Sequence, residues 1–158
     1  MKVMLLAVTL LLSSAAQAYL AEFPEVPVDE LTPGSLCNRP VEYRYPEGIA
    51  YCGRDVDREL KEEVIQEYRE RGFQIPASKR SFFKIDHFIP LCAGGSNEME
   101  NLWPQHRSIY KITDELEAVG CLKLQQAKIA QDKLVELIKL AKRNLNKTSE
   151  ILRQLKNL

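Results

Sequence analysis

The sequence has no excess charge of either sign and little glycine or proline. Lys and Arg together number 22, and so do Asp and Glu, which leaves a net charge of zero. A neutral chain does not coat nucleic acid by bulk charge, so any such contact must depend on a local site. With 7 glycines and 8 prolines among 158 residues, the composition also excludes a fibrous or wholly disordered chain.

Long apolar runs are scarce as well, and the clearest one lies at the start of the chain. Residues 3–12 are apolar, follow the basic Met1-Lys2, and precede small residues that end in Ala16-Gln17-Ala18. This three-part pattern predicts that residues 1–18 are a signal peptide cleaved before Tyr19. The run is too short to span a bilayer comfortably. We therefore expect a secreted or periplasmic protein with no membrane span after cleavage.

Cysteine is limited to four residues, none of them in a C-x-x-C pair: Cys37, Cys52, Cys92 and Cys121. The missing pair spacing makes structural zinc the weaker alternative. An even number of cysteines in an exported chain instead predicts two disulfides, for which three pairings exist. We favour Cys37–Cys52, which closes a short proline-rich segment, and Cys92–Cys121, which ties the centre of the chain to a later helix.

The hydrophobic pattern predicts a mainly α fold with a short two-stranded β element. Residues 19–35 hold three prolines and are expected to be an extended leader, and residues 36–53 are expected to be loops. A helix should begin after Asp55 or Asp57 and end near Gly72. Further on, we expect a strand over residues 82–89, a turn at residues 94–97 and a returning strand at residues 101–103. Pro104 should then precede a helix that runs to about Val119.

The C-terminal segment, residues 122–158, is predicted to form one or two helices with an apolar stripe. The stripe consists of Leu134, Leu137, Ile138, Ala141, Leu145, Leu152 and Leu155. It could pack on the rest of the domain or form a coiled coil, which would give self-association through the C-terminal helix. Residues 121–158 carry 9 basic and 3 acidic side chains. Such an excess is typical of a solvated helix face, with phosphate binding as the alternative.

The residues suited to catalysis are concentrated in one segment. Only two histidines exist, His87 and His106, and both lie there. Hydrolysis of a phosphodiester needs a base to activate water and a cation to neutralise developing charge. Histidine titrates nearest to neutral pH, which makes His87 a fitting base. Adjacent strand residues point to opposite faces, so Asp86 and His87 could meet one atom only at a bend or break in the strand.

The segment reads D-H-F-I-P-L-C-A-G-G-S-N-E-M-E-N-L-W-P-Q over residues 86–105, and upstream R-Y-P-E-G-I-A-Y-C occupies residues 44–52. Over roughly residues 33–145 the chain resembles the HNH endonucleases, the ββα-metal nucleases, especially their small exported members. The resemblance implies that residues 36–121 form an HNH-like ββα-metal domain within the mainly α fold. It also implies that the chain hydrolyses DNA, or RNA as well, with little sequence preference.

The same resemblance suggests roles for individual residues. His87 would deprotonate water, and Asn101 would hold the loop and orient His87. Asp86 and His106 would hold one divalent metal ion, with Mg²⁺ favoured over Mn²⁺ or Zn²⁺. Apart from the resemblance, three basic residues near this segment are weaker candidates for phosphate contacts, namely Lys84, Arg107 and Lys111.

The sequence departs from the commonest family pattern in its metal ligands. There the last His or Asn often lies one helical turn further on, near Tyr110 in this chain. The cysteine pairs that bind structural zinc in many members are missing here. An alternative ligand lies among Asp114, Glu115 and Glu117, because spacings of three can place two carboxylates on one helix face.

Two other functions fit the same residues. One is a module that binds nucleic acid on this fold without cutting it. The other is an envelope protein whose C-terminal stripe binds a partner helix.

Overall fold

The computed structural model describes residues 23–158, so the predicted signal peptide lies outside the described residues. The architecture is mainly helical with two small sheets. Residues 23–35, the described part of the expected leader, contain neither helix nor strand. Within residues 23–158 no helix is both long and apolar enough to cross a membrane. In chain order the elements are β1 (Glu42–Arg44), β2 (Ile49–Tyr51), α1 (Arg58–Glu70), β3 (Phe83–His87), β4 (Leu102–His106), α2 (Arg107–Gln125), α3 (Gln131–Arg143) and α4 (Thr148–Lys156).

Most elements lie where the pattern predicts them. Helix α1 begins after Asp57, whose carboxylate accepts from the Leu60 amide at 2.8 Å. This side chain satisfies one of the free amides of the first turn. The prediction of loops alone over residues 36–53 was wrong, because β1 and β2 form an antiparallel hairpin there. That hairpin has strands of only three residues and no alternating apolar pattern that would reveal it.

Strands β3 and β4 form an antiparallel ribbon, and α2 follows β4 directly. The register pairs Phe83 with His106 and His87 with Leu102. The returning strand is longer than predicted and contains Pro104, so the helix begins at Arg107 rather than just after the proline. Proline within a strand is tolerated in a two-stranded ribbon because each strand has a free edge.

Two hydrophobic clusters hold these elements together. The first packs α1 against the ribbon, with Val64, Ile65 and Trp103 among its buried members. The second lies among α2, α3 and α4 and includes most of the C-terminal stripe, namely Leu134, Leu137, Ile138, Ala141 and Leu155. The buried part of the stripe therefore packs on the domain, which is one of the two alternatives predicted for it, and self-association through the C-terminal helix stays a prediction.

Two disulfides tie the loops to this framework, and both favoured pairings are present. Cys37 is bonded to Cys52, and Cys92 is bonded to Cys121 on α2. The first bond closes the segment that carries the β1–β2 hairpin. It also holds the chain at Gly53 and Arg54, immediately beside the end of β3.

Candidate functional site

The loop between β3 and β4 is held in place by Asn101. This side chain is fully buried, and its Oδ1 accepts from the Ile89 amide at 2.8 Å. Its Nδ2 donates to the carbonyls of Ile89 and Ser96, each at 2.9 Å. Gly95 lies against the Ile89 carbonyl so closely that a Cβ would overlap it. The second glycine of the loop is thus needed for close backbone approach.

His87 lies at the end of β3 and is only 3% exposed. The Asn97 Nδ2 donates to the Gly53 carbonyl at 2.8 Å, which turns the Asn97 Oδ1 towards the imidazole Nε2, 3.0 Å away. Because that oxygen can only accept, Nε2 carries the proton. Asn97 therefore orients His87. The resemblance had suggested Asn101 for this role, but Asn101 makes its side-chain hydrogen bonds to the loop backbone instead.

The other imidazole nitrogen of His87 faces Arg54. The Arg54 guanidinium donates to the Ile85 carbonyl at 3.2 Å and lies 3.5 Å from Nδ1 of His87. A guanidinium has donors only, so Nδ1 presents its lone pair. Arg54 itself is exposed, and within residues 23–158 it forms no ion pair with a carboxylate.

Burial lowers the pKa of His87 below its ordinary value of 6.5. The hydrogen bond to Asn97 opposes this shift, while the positive charge of Arg54 adds to it. A neutral imidazole, with a lone pair on one ring nitrogen, is the form that accepts a proton from water. Here Arg54 faces that lone pair, so the guanidinium must turn towards a phosphate before water can reach Nδ1.

Asp86 is directed to the other face of the ribbon. Burial alternates along β3, with Phe83, Ile85 and His87 buried and the residues between them partly exposed. The strand is regular up to His87, and no break lets Asp86 and His87 turn towards one point. Asp86 instead faces two ammonium groups, with Lys142 at 3.4 Å and Lys84 at 3.6 Å.

Lys142 is the centre of a buried ionic cluster. Its Nζ is fully buried, donates to the His87 backbone carbonyl at 2.6 Å, and lies 2.6 Å from Glu117 Oε1. Burial favours the neutral lysine, but Glu117 and Asp86 outweigh it and raise the Lys142 pKa. Burial also raises the pKa of Glu117, an effect that Lys142 opposes. One ammonium thus joins β3, α2 and α3 beneath His87.

Asp86 and His106 are not brought together. His106 is paired with Phe83, three residues before Asp86, which places the two about 10 Å apart along the ribbon and on opposite faces. Among the described residues, no three His, Cys, Asp or Glu side chains gather as a metal site. The residues predicted to hold a divalent ion therefore do not fit it in this arrangement.

The alternative carboxylates lie nearer to Asp86 but are paired with lysine. Lys84 bridges Asp86 and Asp114, with its Nζ 2.7 Å from Asp114. Lys142 bridges Asp86 and Glu117, and Glu115 pairs with Lys156 at 2.6 Å. Tyr110 lies beneath the Lys84 ammonium, which is 4.8 Å from the ring centroid. Lys84 is thus neutralised by carboxylates, whereas its position near the site had suggested a phosphate contact.

His106 caps α2 and lies in an aromatic cluster. Its Nδ1 accepts from the Ser108 amide at 3.3 Å, and its ring stacks on Phe23 with centroids 4.1 Å apart. Arg107 lies over the Phe82 ring at 4.0 Å, and Lys111 is exposed one turn later. These three residues lie at the end of the ribbon opposite to His87.

Sequence reasoning missed Arg54, Asn97 and Lys142. Asn97 was visible in the turn after the two glycines, where nothing distinguishes a turn amide from one that orients a histidine. Arg54 and Lys142 reach His87 from segments 33 and 55 residues away, so no local spacing could have indicated them.

The comparisons with known proteins add no evidence about this site. A scan against models of protein families finds no match for the chain, and searches of curated proteins and of solved structures find none either.

Proposed function

We propose that the protein is an exported nuclease that hydrolyses phosphodiester bonds of DNA, with RNA as a further substrate to be tested. The observation that carries the proposal is the pairing of His87 with Arg54. A neutral imidazole presents its Nδ1 lone pair beside a guanidinium that has no carboxylate partner among the described residues. A base next to an uncompensated planar cation suits attack on a phosphate, which guanidinium binds through two parallel hydrogen bonds.

The roles follow from these positions. Arg54 binds the non-bridging oxygens of the phosphate and draws the scissile group to the end of β3. His87 Nδ1 accepts the proton of the attacking water while Nε2 stays bonded to Asn97, so the ring keeps its orientation as it becomes charged. The water oxygen bonds to phosphorus, the bond from phosphorus to the departing sugar oxygen breaks, and that oxygen takes a proton from solvent. Asn101 holds the loop that carries Asn97. Export is supported by the signal pattern and by the two disulfides, which persist in oxidising compartments.

The requirement for a divalent metal ion remains a prediction from the resemblance. Because Asp86 and His106 do not converge, no step is assigned to a metal here. The chelator arm of the experiment below measures the requirement directly.

Cleavage of supercoiled plasmid by the purified, oxidised protein tests the proposal. It is run with Mg²⁺, Mn²⁺, Zn²⁺ or chelator, and beside His87→Ala and His106→Ala. We expect His87→Ala to lower the rate by about 10²- to 10⁴-fold, the usual contribution of a general base. His106→Ala should stay within about tenfold of the unmodified protein, since it lies away from the reacting group.

Arg54→Gln sharpens the assignment, with Arg58→Gln as its matched control on the exposed start of α1. Arg54→Gln should raise KM more than tenfold, because a charge-assisted phosphate contact is lost. The control should leave KM unchanged. Absence of cleavage under every condition by a protein shown to be folded would contradict the proposal and favour the binding module.

A further inference from the structure

Residues 52–55 supply two groups to the candidate site, yet little in their own backbone holds them there. Within residues 23–158 this segment belongs to no helix or strand and makes no backbone–backbone hydrogen bond. The Gly53 carbonyl accepts from Asn97 at 2.8 Å. The Arg54 guanidinium lies 3.5 Å from Nδ1 of His87. The proposed base therefore depends on a segment that must be fixed by something other than secondary structure.

A second segment, residues 34–37, is fixed to the loop between β3 and β4, and we call it the strap. The Cys37 amide donates to the Gly94 carbonyl at 2.8 Å. The Ser96 amide in turn donates to the Ser35 carbonyl at 3.0 Å. Backbone hydrogen bonds in both directions give the strap a defined position beside this loop. The strap is thus fixed to the same loop that orients the proposed base.

The Cys37–Cys52 disulfide joins the strap to residues 52–55. The chain on either side of the second segment is anchored independently, because Ile49 and Val56 are buried in the two hydrophobic clusters. Breaking the disulfide should therefore release residues 52–55 locally and leave both clusters packed. The bond positions part of the candidate site rather than the fold as a whole.

The two disulfides have different surroundings. Cys52 forms part of the wall of a surface cavity of about 410 Å³, which leaves the bond accessible to a small thiol. Neither Cys37 nor Cys52 packs in a hydrophobic cluster, whereas Cys92 packs against the cluster among α2, α3 and α4. Exchange needs direct attack of a thiolate on a sulfur atom, so access limits its rate. Reduction should therefore occur first at Cys37–Cys52.

We propose that the Cys37–Cys52 disulfide is a redox switch, which keeps the candidate site assembled when oxidised and disables it when reduced. A cellular dithiol supplies two electrons and two protons: the bond between the two sulfurs breaks, each sulfur becomes a thiol, and the dithiol closes to its own disulfide. Residues 52–55 then leave His87, which loses Arg54 and the support that Gly53 gives to its orientation. The chain is inactive in a reducing compartment and active in an oxidising one.

Variants that each keep one disulfide isolate the effect. In Cys92→Ala/Cys121→Ala the switch is the remaining disulfide, so dithiothreitol acts on it alone. Its plasmid cleavage should fall at least tenfold on reduction and return with oxidised glutathione, because a displacement of about 1 Å in a reacting group can cost about 100-fold. The matched control is Cys37→Ala/Cys52→Ala, whose rate should be at least tenfold lower without reductant and should not respond to it. A fall of less than twofold in the first variant would overturn the proposal.

Limited trypsin digestion and circular dichroism separate local release from unfolding. Reduction should accelerate the cut after Arg54 at least fivefold. The cut after Lys128, in the turn between α2 and α3, is the internal reference and should keep its rate. Equal acceleration at both positions, or loss of the helical signal, would show global unfolding and overturn the switch. If Cys92→Ala/Cys121→Ala does not fold, the rate of Cys37→Ala/Cys52→Ala relative to the oxidised unmodified protein tests the same point.

The loss of activity rests on the proposed nuclease function, whereas the release of residues 52–55 does not. If the oxidised protein cleaves no plasmid but reduction accelerates the cut after Arg54, the nuclease proposal is wrong and redox control of the segment is supported. If plasmid is cleaved equally before and after reduction, the nuclease proposal stands and the switch is wrong.

Discussion

The two ends of the β3–β4 ribbon each carry one of the protein's two histidines, and different interactions stabilise them. At one end, His87 is buried among hydrogen bonds, with Asn97, Arg54 and the Lys142 cluster around it. At the other end, His106 stacks on aromatic rings and caps a helix. Both residues belong to one continuous sequence motif. Their roles therefore depend on register and on distant segments rather than on their spacing in the motif.

This difference has an energetic consequence. A buried polar network loses the full desolvation penalty of each group that is left without its partner. When one of several stacked rings at a partly open end is removed, the others lose only van der Waals contact and some buried area. Substitutions at the His87 end should therefore cost more stability than substitutions at the His106 end.

Lys142→Met should produce the largest effect. It leaves Asp86 and Glu117 buried without their shared ammonium, and the loss of one partner of a buried ion pair costs about 3–5 kcal/mol. Urea denaturation at neutral pH measures it. Lys133→Met is the matched control, because the exposed pair of Lys133 with Glu136 is worth about 0.5 kcal/mol or less. Similar losses in the two variants would show that the cluster contributes no more than a surface pair.

Asn101→Ala should come next. The side chain makes three hydrogen bonds to the backbone of the loop from within the core. Their loss leaves buried backbone groups unpaired, and we expect a cost of about 2–4 kcal/mol. Chemical denaturation is again the measurement, with the exposed Asn157→Ala as the control. A cost below that of His106→Ala would break the comparison between the two ends.

The pH dependence of cleavage tests the state of His87. Its lowered pKa keeps the imidazole neutral at pH 6.5, so the cleavage rate should fall only below this pH. The unfolded chain binds a proton in that window that the folded chain does not, so stability also declines as the pH falls. Arg54→Gln removes a charge that lowers the pKa and should shift the acid limb to higher pH. Cleavage rates measured between about pH 4.5 and 8 locate the acid limb of the pH profile.

An acid limb above pH 6.5 in the unmodified protein would contradict the burial of a neutral His87. A limb that Arg54→Gln leaves in place would show that the guanidinium does not act on the imidazole. Arg58→Gln serves as the control, because Arg58 is exposed and is not among the charges that shift the His87 pKa, and it should leave the limb unchanged.

Features that depend on neighbouring residues could be predicted from the sequence, whereas contacts between distant segments could not. The cap at Asp57, the strand at residues 83–87 and the turn after two glycines all depend on neighbours in the chain. The metal ligands failed to converge because the returning strand continues to His106, a length that residues 101–103 alone did not predict. Lys142 seemed one lysine of a solvated helix face, yet α3 packs so that it is buried. Strand register and helix packing depend on the whole core, so the local sequence pattern could not predict them.

Of the three substitutions at the ribbon that are ranked by stability, His106→Ala should have the smallest effect. It removes a side chain that accepts from the Ser108 amide and stacks on Phe23, and the loss of a helix cap costs about 1 kcal/mol. His106→Asn separates the two contributions, because asparagine caps a helix but has no ring to stack. It should recover most of the loss in urea denaturation. If His106→Asn is as unstable as His106→Ala, stacking rather than capping holds this end. If both cost as much as Lys142→Met, the two ends of the ribbon are stabilised equally, and burial of the polar network gives the His87 end no larger share of the stability.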